Sequence, residues 1–101
     1  MVQAIKVSGK SPREFVDIVQ SALQERELGK IASISLEGSD IAVIFSKLGK
    51  SQILFAISEA DGSFEAKHKS EKIALAHRAL RSQIEGKVEK ILQKCGAEIV
   101  S

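Results

Sequence analysis

The chain reads as an α+β protein, a two-layer sandwich in which two helices cover one face of a mixed four- to five-stranded sheet. Three features predict this. Short apolar stretches bounded by Gly, Asp and Ser read as strands, and two longer stretches repeat apolar residues at helical spacing. The order that results, β-α-β-β-β-(β)-α-(β), opens on a strand–helix–strand unit, which implies a right-handed parallel pair, and continues as an antiparallel meander. At 101 residues the sequence suits one domain over 1–101.

The first strand is Val2 to Val7, with Val2, Ala4 and Lys6 on one face and Ile5 and Val7 on the other. Ser11, Pro12 and Glu14 then form an S-x-x-E capping box with Pro at the first helical position, so a helix starts here. Phe15, Ile18, Val19, Ala22 and Leu23 give that helix one apolar stripe, and Gly29 suits a left-handed C-cap. "KIASISLEG" places Ala32, Ile34 and Leu36 opposite Ser33 and Ser35, a half-buried strand. "DIAVIFSK" also fits helical spacing through Ile41, Ile44, Phe45 and Leu48; its β-branched residues and short length favour a strand. "LGK" predicts a tight hairpin with Gly49 at positive φ, leading to "SQILFAISE". "ADGS" is a second turn, before a strand with Phe64, Ala66 and His68 on one face and Glu65, Lys67 and Lys69 on the other.

The second helix is predicted from an N-cap at Ser70 to about Cys95, with Gly96 as C-cap and "AEIV" as a short last strand. Its stripe is Ile73, His77, Leu80, Ile84, Val88, Ile91 and Cys95. Unbroken, such a helix is about 37 Å long, whereas the predicted strands reach only about 20–25 Å. Its end then overhangs the sheet unless the helix breaks at Gly86 and folds back. An uncovered apolar face invites a partner, and a two-fold homodimer through Ile84, Val88, Ile91 and Leu92 is the simplest one.

Charge is uneven. Residues 66–95 hold eight Lys/Arg and three Glu, a local +5 against +2 for the whole chain, so the remainder sums to −3. That points toward an anionic partner, against the alternative of a solvated helix face. "SGKS" at 8–11 and "LGKS" at 48–51 suggest phosphate loops. A P-loop needs a Gly five positions before Gly9 or Gly49, and those positions hold Ala4 and Ile44. What remains at 8–13 is a helix start with Lys10 and Arg13 beside it, either an anion contact or plain capping. Lys10, Arg13, Arg78 and Arg81 are therefore the expected contacts of a nucleic acid bound through phosphates. The sequence has no Trp or Tyr, and its four Phe sit in core patterns, so base stacking is not expected.

The opening "IKVSGKS…ALQERELGKIASI" resembles the first third of the Alba-type nucleic-acid-binding proteins. The resemblance ends near Leu36, where those proteins have a second helix and this chain has a predicted strand.

His68 and His77 have no companions at ligand spacing, so no metal or cofactor is expected. Cys95, near a helix C-terminus, should have a raised rather than a lowered thiol pKa. Glu37 and Asp40 flank a turn, and no catalytic triad, catalytic residue or small-molecule substrate is evident. The single Cys, the short apolar runs and a start without a secretory pattern suggest a cytoplasmic protein without a membrane segment. The expected function is a non-enzymatic interaction module that self-associates; the alternative is nucleic-acid binding by the basic second helix and the 8–13 loop.

Overall fold

The computed structural model describes residues 2–47 and 49–100. The elements run β1 (Ala4–Ser8), α1 (Pro12–Gln24), a 3-10 turn (Glu27–Lys30), β2 (Ala32–Glu37), β3 (Asp40–Ser46), β4 (Lys50–Ala60) and β5 (Ser63–Lys72). A second 3-10 segment (Leu75–Leu80), α2 (Arg81–Lys94) and β6 (Ala97–Val100) complete the chain. The two-layer α+β sandwich and the order of elements are as expected, with both optional strands present. Residues 40–46 are strand, not helix. Leu48, in the predicted "LGK" hairpin, lies outside the described residues, while Gly49 has the expected positive φ of 139°.

The sheet corrects two expectations. Among the described residues it has six strands in the order β2-β3-β4-β5-β1-β6, and all neighbours are antiparallel rather than mixed. The opening strand–helix–strand unit makes no parallel pair, because β5 and β6 occupy both sides of β1. Instead α1 carries the chain across the helical layer to the opposite edge. Its first turn sets Phe15 edge-on against Phe64 of β5, ring centroids 5.8 Å apart. Further along, the Gln20 side-chain oxygen accepts the Ile34 N–H at 2.9 Å, covering part of the open edge of β2.

The predicted faces of α1 and β2 largely hold. Phe15, Val16, Val19 and Leu23 are buried, with Val16 in place of the expected Ile18, which is 41% exposed. The capping box is complete: Ser11 Oγ accepts the Glu14 N–H at 3.2 Å, and Glu14 Oε1 accepts the Ser11 N–H at 3.3 Å. Gly29 is not a left-handed cap. It lies in the 3-10 turn, where an added Cβ would run into the Leu23 carbonyl oxygen. Glycine is required there by close backbone approach.

The second helix departs most from expectation. Ser70 does not cap a helix; it pairs with Leu54 in the long β4–β5 hairpin, which continues to Lys72. The ladder with β4 takes residues 70–72 from the predicted first turn, and Leu75–Leu80, which includes His77, forms a 3-10 turn instead of α-helix. The α-helix starts at Arg81 and passes through Gly86 without a break. It is about 21 Å long, whereas the 11 residues of β4 reach about 36 Å. The predicted overhang is thereby reversed. Val88, Ile91 and Leu92 are buried in the protein's own core and Ile84 packs against it, so the length argument for a dimer through these residues fails.

Candidate functional site

Two places gather polar side chains under the helical layer. The first begins at a β-bulge between Leu54 and Phe55, where one extra β5 residue, Lys69, intervenes between His68 and Ser70. In a regular strand, residues three apart face opposite sides. The bulge turns Glu71 to the same side as His68, and His68 Nε2 lies 2.9 Å from Glu71 Oε1. Arg81, the first residue of α2, donates to both Glu71 oxygens at 2.6 Å and to Glu85 Oε1 at 3.0 Å. Hydrogen bonds from Arg81 hold the Glu71 carboxyl below its ordinary value, against partial burial, with a smaller pull from His68. The same bonds push the Arg81 pKa further up. The cavity beside this cluster holds about 30 Å³, room for about one water. The cluster acts as a clasp tying the start of α2 to the end of β5.

The second is Ser51 and His77, both buried. Ser51 Oγ accepts the Ala74 N–H at 2.7 Å and lies 2.5 Å from His77 Nδ1. His77 Nε2 bonds the Lys47 carbonyl oxygen, which can only accept. Neutral His77 therefore carries its proton on Nε2, and the Ser51 hydroxyl donates to Nδ1. A nucleophilic serine needs a free path to its oxygen. Ser51 is fully buried and already bonded to the backbone, so the pair works as a clip holding residues 74–77 onto β4.

Between these anchored elements lies a groove. One wall is the 27–30 turn with the end of β3; the other is α2. Its basic part, about 640 Å³, is lined by Arg26, Lys30, Lys47, Lys87, Lys90 and Lys94, with Glu27 as the single acid, a net of six minus one, or +5. Among the described residues only Lys30 of these cations pairs with a carboxylate, Glu27 at 3.2 Å. The Arg26 guanidinium donates to the Ala22 carbonyl at 2.9 Å. Lys87, Lys90 and Lys94, spaced three and four apart, form one row along α2. An apolar part of about 270 Å³ adjoins it, sharing Leu28, Ile31, Lys47 and Lys87 and adding Phe45, Leu80 and Ile84.

The residues expected to contact nucleic acid are not brought together. Arg81 is committed to the clasp. Lys10 Nζ lies beside Gly96, 3.2 Å from where a Cβ would stand, so its charge faces the C-terminal end of α2, where carbonyl groups favour a cation. Arg13 and Arg78 are exposed on separate elements. The pocket at 8–13 also contains Glu14 and Glu59. Glu37 and Asp40 do not act as a pair: Asp40 meets Lys69 at 2.9 Å and Glu37 accepts from Gln52 at 3.4 Å. The Cys95 thiol is pushed up, by burial first, against the pull of Arg26 and Lys10.

Among the described residues no three His, Cys, Asp or Glu converge as metal ligands, and no helix is long and apolar enough to cross a membrane. Sequence reasoning missed the groove, although the spacing of Lys87, Lys90 and Lys94 was a usable signal. Comparison with protein-family models, curated proteins and solved structures finds no match to this chain.

Proposed function

We propose that this protein is a non-enzymatic binding module that holds an anionic macromolecule in the basic groove between the 27–30 turn and α2. The observation that carries this is the net +5 of the groove lining, drawn from three separate parts of the chain. Cations held on facing walls raise the local concentration of an anion and are the ordinary device for binding one. Nucleic acid is a second reading, favoured by the row of Lys87, Lys90 and Lys94, which would meet successive phosphates.

Self-association through the end of α2 is not part of the proposal. Val88, Ile91 and Leu92 are already buried within one protomer, and a two-fold contact between two such grooves would oppose like charges.

The test is titration with polyglutamate at low and at physiological ionic strength. Binding should weaken steeply with salt and disappear in Lys87→Glu/Lys90→Glu/Lys94→Glu. Binding that survives this triple change, or that is lost in Lys10→Glu/Arg13→Glu instead, would overturn the reading.

A further inference from the structure

Resting on that reading, we infer that the natural occupant of the groove is a short acidic peptide segment of another protein, with apolar side chains at one end. The groove has two chemically different halves. Toward Lys94 it is lined by six cations; toward Leu80 only Lys47 and Lys87 of these remain, and Phe45, Leu80 and Ile84 join Leu28 and Ile31, which line both parts. Leu80 is 44% exposed at the rim of the apolar half. A nucleic-acid backbone laid along the whole groove would set phosphates over apolar surface at that end, with two of the six cations to meet them. An acidic peptide with apolar residues at one end matches both halves: carboxylates meet Lys87, Lys90 and Lys94, and aliphatic side chains fill the space beside Leu80 and Ile84. Length agrees as well. From Leu80 to Lys94 the helix wall runs about 21 Å, which an extended chain covers in about six residues. The 3-10 turn that forms the other wall is held by Gly29 against the Leu23 carbonyl, and the Ser51–His77 clip fixes the apolar end. The site is thus largely formed before any partner arrives.

The experiment measures fluorescence anisotropy of three labelled probes on the intact protein at low salt. They are a peptide of two leucines followed by four glutamates, a peptide of six glutamates, and a single-stranded oligonucleotide of six phosphates. The leucine-containing peptide should bind at least about tenfold more tightly than either other probe. Leu80→Ala should remove that preference. Equal binding of the two peptides, or tightest binding of the oligonucleotide, with all binding lost in the α2 lysine reversal, would overturn the peptide inference and leave the anionic groove standing. No binding of any probe would remove both.

Discussion

Residues 8–15 and the groove along α2 invite a direct comparison, because both combine lysines with helix ends or helix faces and only one advertises itself in the sequence. The first looks like an anion site, with Gly9, Lys10 and Ser11 leading into a helix. In the folded chain its backbone donors are used, since Ser11 and Glu14 satisfy each other's N–H groups, while Lys10 lies beside the end of α2 and away from the groove. The second has no motif. Folding nevertheless brings Arg26, Lys30 and Lys47 to face Lys87, Lys90 and Lys94. The lesson is one of accounting. A helix start is open to a ligand only if the fold has not already capped it, and cations make a site only where the fold brings them together.

The largest expected effect concerns the wall of the groove. Gly29→Ala drives a Cβ into backbone that cannot swing aside, and should cost about 4 kcal/mol or more in chemical denaturation. A loss under about 1 kcal/mol would mean the turn relaxes freely, and the groove would not be the rigid member of the pair.

Next is the clasp that fixes the start of α2. Glu71→Gln should cost about 1–2 kcal/mol at neutral pH, the range for charge-assisted hydrogen bonds that are partly exposed. The sign with pH follows from the lowered carboxyl pKa. Its contribution is fully present above the ordinary Glu value of about 4.3 and is lost as pH falls through the lower folded value. Wild type and Glu71→Gln should therefore converge in stability as acid is added. A constant gap down to the acid limit would show that the carboxylate charge is not what holds Arg81.

A smaller effect tests the 8–15 side. Ser11→Ala should cost about 1 kcal/mol, equally with and without phosphate. A melting temperature raised by phosphate, and no longer raised in Lys10→Ala, would restore an anion site there and break the comparison. Smallest is Gly86→Ala, whose Cβ would enter open space and should add about 0.5–1 kcal/mol of stability. Destabilisation would indicate a bend at Gly86 and a broken row of lysines.

Much of the fold was legible because it rests on local pattern. The capping box, the stripe of α1, the alternation in residues 32–37 and the Asp61–Gly62 turn are short-range signals, and each became the expected element. What sequence could not convey was pairing at a distance. Nothing in Val2 to Val7 says that β5 and β6 will flank β1, and this alone turned a mixed sheet into an antiparallel one. Nothing in "SFEAKHKSEK" announces the bulge that turns Glu71 toward Arg81. The stripe through Ile73, His77 and Leu80 has helical spacing, yet the hairpin takes the chain up to Lys72 and Ser51 of β4 holds Ala74 and His77 beyond it. The groove was hidden for the same reason: half of its cations lie on α2 and half more than 35 positions earlier in the chain.

The most direct test of the account is a map of where an anion binds. With isotope-labelled protein, polyglutamate added at low salt should shift the backbone amide signals of residues 26–31, 47 and 87–94 and leave residues 8–14 unmoved. Shifts concentrated at residues 8–14, with the groove silent, would contradict it.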